Sequence, residues 1–540
     1  MRKAMESLKI LYNKSGKKGD FMKKSVMILA LLAGILSAVQ SSAAEVSSIY
    51  AKKRSVAITS EVDKALAADW QKKGLIPVYE ASDNLLVRRL YLDLAGRLPS
   101  IEEAKSFVYS RDPQKYEKLV DTLLASRDFV ISFGMRFCDM LRVKSEFPIN
   151  LWPNAVYIYQ RRIEAFLEKD EPYNDFVRAL LLAKGSNFRV AESNFYRAHA
   201  DRSPLGIAKN VMLTLCGVRL EQMPEKKQKL YANIFEEIGF KSTREWKEEI
   251  VFVKDCPARK IMLPNGKELK MPAGKEARKV LADFLTRSDE GVTMLADALV
   301  NRTWYWFFGS GIVPEGDDLL NKKPVNEALR NQLVSEVLAS KLNFRELCRM
   351  VVLSAAYRSA SFQGKDTAKK VKAFAAYPVR RLEAEVLDDA ITSLTLESSH
   401  YSSVIPEPFT FLPSDMRTVS IADGSISSSF LILFGRPSRD AGVLSERNNN
   451  INAKQRLFLY NSGSLYRKVC RIMRRKEFAR LQFKARVEAF YWMFFSRPPT
   501  AKEWGIIQKR YDAMPVKMRW NMQNDLAWIM VNSAEFLHRH

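Results

Sequence analysis

Apolar residues along this chain recur at three- and four-residue intervals far more often than they alternate. In NLLVRRLYLDLAG (84–96), Leu86, Leu90 and Leu94 fall on one helical face, and Arg89 and Asp93 have the spacing of an i,i+4 ion pair. In RRLEAEVLDDAITSL (380–394), Leu382, Val386, Leu387, Ala390, Ile391 and Leu394 form another single stripe. Asp112-Pro113 and Ser203-Pro204 each set a capping residue before a proline at the first helical position. Strand signals are few. The clearest is IMLPNGKELKM (261–271), where Asn265-Gly266 fits a two-residue hairpin turn. The pattern predicts a mainly α protein with two helical domains, a small β-hairpin near their boundary and a long irregular loop in the second domain. The first domain covers 45–255 and the second 275–540. The Pro/Gly-punctuated stretch 256–274 links them, and the loop, rich in Ser, Pro and Asn, runs from His400 to about Ala453. So long a connection is either a binding loop or partly ordered.

The pattern also repeats. YLDLAGRLPSIEEA (91–104) and YWMFFSRPPTAKEW (491–504) share Tyr, an apolar helix end, Arg, Pro, Ser/Thr and Glu in register. Each copy is followed by a similar close, LLASRDF (123–129) and MVNSAEF (530–536). Ser100 with Glu103, and Thr500 with Glu503, have capping-box spacing, which starts a new helix directly after a turn. Chance similarity between helix caps is the alternative.

Composition narrows the class. At 540 residues, with 47% apolar and 27% charged residues, the chain is an ordinary globular protein too long for one core. Lys23 and Lys24, an apolar run from Val26 to Val39 and Ser42-Ala43-Ala44 have the order of a secretory signal peptide. The run is shorter than the ~20 residues of a membrane span. Residues 1–44 therefore read as an upstream extension and a signal peptide cleaved after Ala44, and the mature protein as periplasmic or at the cell surface. Removing them takes away eight basic and two acidic residues and lowers the formal charge from +25 to +19. A basic surface outside the cytoplasm suits an acidic polysaccharide or another polyanion, or serves solubility alone. It calls for no specific nucleic acid, and for a membrane only through the signal. Five dispersed cysteines without a C-x-x-C make no disulfide framework.

Catalytic motifs are scarce. The chain has four histidines and contains no H-E-x-x-H, G-x-S-x-G or P-loop. In FFGSGIVPEG (307–316), Pro314 stands where a dinucleotide fingerprint needs glycine, so Gly309 reads as a helix C-cap. Asp317-Asp318 and Asp388-Asp389 could bind a cation, but adjacent residues on a helix point apart. The densest charge lies in RKVCRIMRRKEFARLQFKAR (467–486), with nine basic residues and one acidic. Val469, Ile472, Met473 and Leu481 give it an apolar stripe. It reads either as a helix with one polyanion-binding face, carried by Arg471, Arg474, Arg475 and Lys476, or as a solvated surface helix.

Longer stretches add up to a family. In the first half stand VRRLYLDLAGRLPSIEE, KDEPYNDFVRALLLAKGSNF, SNFYRA and GVRL. In the second stand ALVNRTWYWFFGSGIVPEGDDL, FRELCRMVVLSAAYRSA, VRRLEAEVLDDAI, LFGRPSRD, SRPPTAKEW and DLAWIMVNSAEFLHRH. Together they resemble the paired domains of unknown function fifteen-forty-nine and fifteen-fifty-three. These occur in exported proteins of planctomycetes and their relatives, often beside a cytochrome c-like domain. The resemblance covers nearly all of 80–540 and brings no established reaction. It implies a C-x-x-C-H and a His-Pro-Phe after GVRL, and with them haem attachment or metal binding. This chain departs from that pattern. Gln222, Glu225 and Lys226 stand at the matching positions, and Cys216, ahead of Gly217, reads as a buried small hydrophobe.

No cofactor and no metal site is therefore expected. The sequence favours a non-catalytic binding or scaffold component of the cell envelope, with a polyanion or an envelope protein as partner. An enzyme or redox-associated component with an unidentified active site is the rival reading. The motif-borne polar residues Asn194, Tyr196 and Arg197, and Asn301, Arg302 and Trp304, are the binding candidates. Their convergence on one cleft would favour the enzyme, and their dispersal among helix contacts the scaffold.

Overall fold

The computed structural model describes residues 49–540 apart from Ser414. The signal-peptide reading, at 1–44, lies outside the described residues. Among the described residues, no helix is long and apolar enough to cross a membrane. Of the described residues 56% are helix and 6% strand, with small antiparallel sheets.

Two apolar clusters organise the helices. The larger runs from Val56 to Tyr377, with Ala422 and Trp492 added. Its axis is the 20-residue helix Asp289–Phe308, opened by Ser288, whose side chain accepts from Gly291 N–H. Gly309 closes the helix at φ 71°, a left-handed cap whose N–H reaches Tyr305 O at 2.7 Å. Trp306 and Phe307 pack against Phe133, and Trp306 and Phe344 against Phe137, mostly edge to face. The second cluster holds the stripe Leu382 to Leu394 and continues to Phe536, with Leu92, Leu98 and Met135 reaching in from the first half. The helix Arg127–Met140 thus serves both clusters, Phe133 and Phe137 facing one and Met135 the other. The polar seam left between them is where the candidate site lies.

The hairpin forms, with a different turn. Strands Arg259–Met262 and Glu268–Met271 pair from Arg259↔Met271 to Met262↔Glu268. Leu263 N–H then bonds Lys267 O (3.0 Å) and Gly266 N–H bonds Leu263 O (2.8 Å). This is a three-residue loop, not the two-residue turn expected. Pro264 holds the φ of a type I turn and Gly266, at φ 83°, takes the left-handed bulge position that follows. Ile261, Met262, Leu263 and Met271 are buried in the larger cluster, so the hairpin is part of that core. A three-stranded sheet of Gly185–Ser186, Glu249–Val253 and Ile238–Ser242 escapes the periodicity reading altogether.

Helix starts and pairs are partly corrected. Ser203 caps the helix Pro204–Cys216 as expected, accepting from Gly206 N–H at 3.1 Å. Asp112 instead accepts Gln114 N–H (2.8 Å) in a turn, and the helix begins later, at Lys115. Leu86, Leu90 and Leu94 are buried on one face, yet Arg89 and Asp93 do not pair. The helix widens to a π turn over Tyr91–Ala95. Arg89 donates to Tyr357 O and Ser359 O, while Asp93 pairs with Arg539 and accepts from the hydroxyls of Tyr357 and Tyr377.

The sequence echo is a real structural duplication. Arg97 forks onto Glu103 with two bonds of 2.8 Å, and Arg497 onto Glu503 with bonds of 2.8 and 2.9 Å. Each arginine takes a second carboxylate from the matching close, Asp128 or Glu535, at 2.7 Å. Both capping boxes are complete, and both turns pass through a left-handed residue, Gly96 or Ser496.

Candidate anion-binding cleft

A cleft of about 500 Å³ opens between the two clusters. Five segments build it. The helix Arg127–Met140 offers Arg136 and Asp139, and the end of Asp289–Phe308 offers Arg302, Tyr305 and Trp306. The strand Arg380–Arg381, the loop residues Pro437 to Ile451 and His538 complete the lining. That loop is the second half of the irregular stretch 400–453, which is therefore both partly ordered and a cleft wall. The whole stretch 400–453 contains the short helix Ser429–Leu433 and two 3-10 turns.

Charge dominates the wall: five arginines against two carboxylates, Asp139 and Glu383. Each guanidinium is held by its planar fork. Arg380 lies across the end of the central helix and donates to Trp306 O (3.1 Å) and Phe307 O (2.5 Å), carbonyls that have no partner within the helix. Gly309 makes room for it, since a Cβ there would stand 2.6 Å from Arg380 Cδ. Arg381 donates to Phe434 O (2.6 Å) and Asn448 O (3.0 Å), tying the strand to the cleft loop. Arg302 bonds Thr214 O (2.7 Å) and pairs with Asp317 (3.1 Å). Arg447 forks onto Glu385 at 2.6 and 3.0 Å and reaches Asp139 at 2.6 Å. Glu383 takes Arg136 at 3.2 Å and Arg539 from the far side.

Of the five, Arg381 is held by carbonyls and, among the described residues, by no carboxylate. Burial pushes the Glu385 carboxyl up, but the Arg447 guanidinium outweighs it and holds the group down at about 2. Burial lowers Arg381 to about 10, and Arg447 adds to that while Glu383 opposes it. The Nε atoms of Arg136, Arg302 and Arg381 are buried without a hydrogen-bond partner.

Of the sequence candidates, only Arg302 lines this cleft. Asn194 donates to Asn187 O (2.9 Å), Tyr196 to Leu181 O (2.6 Å), and Arg197 pairs with Glu249 (2.7 Å) beside the three-stranded sheet. Asn301 staples the turn after the central helix, donating to Gly316 O and accepting Val313 N–H. Trp304 is wholly buried and stacked on Phe308 at 4.4 Å. The two triplets are dispersed among helix contacts. The acidic doublets are staples too. Asp317 holds Arg302 and Leu444 N–H, and Asp318 accepts from Gln222. Asp388 and Asp389 together hold the 3-10 turn Thr418–Ser420.

The basic segment does not form one helix. It breaks into Gly463–Cys470, a 3-10 turn Arg471–Arg474, and Lys476–Ala479, before Phe483–Phe495 begins. Arg471 pairs with Glu397 (3.0 Å), and Arg475 donates to Ser393 O and Leu394 O. Arg474 and Lys476 are exposed. Ile472 and Met473 are buried, and burying them breaks the segment and turns its charges in different directions.

The haem pattern implied by the resemblance does not fit these residues. Glu225 and Lys226 are exposed on the first turn of Glu225–Ala232, and Gln222 bonds Asp318 at 2.8 Å. None is a thiolate or an imidazole. Cys216 ends its helix 4% exposed, and burial pushes its thiol up to about 12. Among the described residues no group of three or more His, Cys, Asp or Glu could hold a metal ion.

Sequence reasoning singled out the VRRLEAEV motif but missed its Arg380 and Arg381, and with them Arg136 and Arg447, as site residues. The available signal was an arginine flanked by core positions, where a charged side chain must find a buried partner.

The family model described as PSCyt2, protein of unknown function (DUF1549), matches residues 61–215. That described as PSD1, protein of unknown function (DUF1553), matches residues 277–511. No curated protein and no solved structure matches the chain. All five cleft arginines fall in these two regions, Arg136 in the first and Arg302, Arg380, Arg381 and Arg447 in the second. With both regions matched in this order, the chain belongs to the paired PSCyt2–PSD1 proteins, the planctomycete cytochrome-associated domains of unknown function.

Proposed function

We propose that this protein is an exported, non-catalytic binding component of the cell envelope whose cleft receives an anionic group. The observation that carries the reading is the gathering of five guanidinium groups on a cleft wall that itself holds two carboxylates, with Asp317 and Glu385 as further partners behind it and Arg381 held by carbonyls alone. A carboxylate, sulfate or phosphate group meets such a wall with the geometry an arginine fork accepts. The rim adds neutral donors and acceptors from Asn449 and Asn450 and the aromatic edge of Tyr305. An acidic polysaccharide is the envelope polymer that presents such groups. Dispersal of the two polar triplets supports binding over catalysis.

The test is calorimetric titration of the mature chain, beginning near Glu45, with citrate and with inorganic sulfate at low ionic strength. Val379 and Asn450 are exposed at the rim, so Val379→Asp and Asn450→Asp add negative charge without removing a buried contact. Each is expected to weaken binding at least tenfold with melting unchanged. Heats too small to fit for both anions, or affinities indifferent to both substitutions, sink the reading.

A further inference from the structure

One carboxylate outside the cleft fixes the loop that forms part of its wall. Glu446 ends the 3-10 turn Leu444–Glu446 and does not itself line the cleft. Its side chain folds back along the loop. Oε1 accepts Asp440 N–H and Ala441 N–H, both at 3.0 Å, and the Ser438 hydroxyl at 3.0 Å. Oε2 accepts Gly442 N–H at 2.8 Å. Three consecutive main-chain N–H groups converging on one anion form a nest, and charge-assisted bonds of this kind are about twice as strong as neutral ones. Here the anion comes from the loop itself.

The course of the loop serves this nest. Arg439 and Gly442 are left-handed, at φ 60° and 68°, and bracket Asp440 and Ala441. Arg439 is held there by Asp139 at 2.8 Å and by Ala422 O. At 442 only glycine fits, since a Cβ would stand 2.6 Å from Met140 O and 2.8 Å from Arg142 Nη1. The charged groups around the nest are Lys144, which pairs with Asp440 at 2.6 Å, and Arg142, whose Nη1 donates to Ala441 O at 3.4 Å. The same segment carries the wall. Pro437, Gly442, Val443 and Leu444 line the cleft, and Arg447, next to Glu446, forks onto Glu385 and reaches Asp139. None of residues 438–442 belongs to either apolar cluster, so hydrogen bonds and not apolar packing hold them in place.

We infer that Glu446 is the positioning residue of the cleft: by filling the nest it holds Gly442, Val443 and Arg447 where the wall receives an anionic group. The inference rests on the anion-binding reading and names the residue, outside the cleft, that governs its affinity. Because the nest is built of main-chain N–H groups, it needs a carboxylate and not a particular side chain. A small carboxylate from solution therefore substitutes for Glu446 once the side chain is gone. A residue that contributed packing alone would not be replaced in this way.

The experiment compares the mature chain with Glu446→Ala by citrate titration and by hydrogen exchange, read by mass spectrometry on peptides spanning 440–442. In the variant, citrate affinity should fall at least tenfold and exchange at 440–442 should quicken at least tenfold, with a single melting transition retained. Sodium acetate, at an ionic strength matched with sodium chloride, should slow that exchange again. It should also restore most of the citrate affinity, judged against wild type in the same buffer, which accounts for acetate competing in the cleft. Glu446→Gln keeps one acceptor oxygen and should fall between, and it carries the comparison if Glu446→Ala does not melt cooperatively. Citrate binding as tight in the variant as in wild type, unchanged exchange at 440–442, or a loss that acetate does not restore overturns the inference. Wild-type heats too small to fit defeat the anion-binding reading itself, so the two failures are told apart.

Discussion

Arg539 Nε lies 2.8 Å from Asp93 Oδ1, and both side chains are almost wholly inaccessible to solvent. Asp93 sits in the π turn of the first repeat, and Arg539 in the short strand His538–Arg539 paired with Arg380–Arg381. The same guanidinium reaches Glu383, which also holds Arg136 of the cleft wall. One residue near the end of the sequence therefore bridges a buried carboxylate of the first half to the helix that shapes the site. Removing one partner of such a pair leaves an uncompensated buried charge, at a cost of about 3–5 kcal/mol. Arg539→Ala is expected to lower stability by that amount in denaturant melts. A loss below about 1 kcal/mol, the scale of an exposed pair, contradicts the bridging role.

The duplicated arginine staples predict an asymmetry. Arg497 is 3% exposed and holds Glu503 and Glu535, whereas Arg97, 30% exposed, holds Glu103 and Asp128. Water screens the first-half pair more. Arg497→Ala should cost about 3–5 kcal/mol and Arg97→Ala about 1 kcal/mol. Equal losses in equilibrium unfolding would mean that the duplication is one of geometry but not of burial.

That duplication was legible because its parts are local. A capping box, a turn and an arginine six residues from its glutamate are all set by short-range spacing. The stripe Leu382 to Leu394 was legible for the same reason. The cleft was not. Arg136, Arg302, Arg381 and Arg447 come from four distant segments, and nothing in local periodicity says that a guanidinium will be buried beside a carboxylate 62 positions earlier, as Arg447 is beside Glu385. The edge strand Gly185–Ser186 was illegible for a related reason, since it is two residues long and its pairing with Glu249–Val253 is nonlocal. The basic segment misled because its apolar positions suited one helix, while core packing of Ile472 and Met473 favoured a break.

Asp389 gives the protein a distinctive acid-side stability profile. Burial pushes its carboxyl up to about 6, against the lowering effect of Arg417 and of the backbone N–H groups of Thr418 and Val419. The folded value lies above the unfolded 3.8, so the folded state binds the proton more tightly. Its contribution is complete below about pH 4, falls as pH rises to about 6 and is gone above that, a loss of about 3 kcal/mol. Asp389→Asn cannot titrate. The stability difference between wild type and this variant should change by that amount between pH 4 and 6.5. Parallel stability curves would show that the carboxyl ionises normally.

Thiol chemistry separates the five cysteines. Burial pushes Cys138 and Cys216 up to about 12 and raises Cys348 well above the ordinary thiol range. Cys256 and Cys470 are half-buried. Only the thiolate reacts with an aromatic disulfide reagent, so the native protein at pH 8 should titrate at no more than two thiols. Full reaction at all five should appear only in denaturant. Rapid modification of Cys216 in the native state would place it outside the core.

The basic segment can be divided by one substitution. Arg475 is 19% exposed and donates to Ser393 O (3.2 Å) and Leu394 O (3.1 Å), carbonyls in the last turn of the helix Ala384–Thr395. A cation there also meets the negative end of the helix dipole. Its neighbours Arg474 and Lys476 are exposed and free to meet solvent or a polyanion. Arg475→Gln loses the charge and the fork, and is expected to lower stability by about 1 kcal/mol. The double change Arg474→Gln, Lys476→Gln should leave stability unaltered within about 0.5 kcal/mol. Binding of a sulfated polymer at low salt should respond in the opposite order. It should weaken in the double variant and persist in Arg475→Gln, because only exposed charge releases counterions. If the double variant binds such a polymer as well as wild type, the segment's charge serves solubility alone.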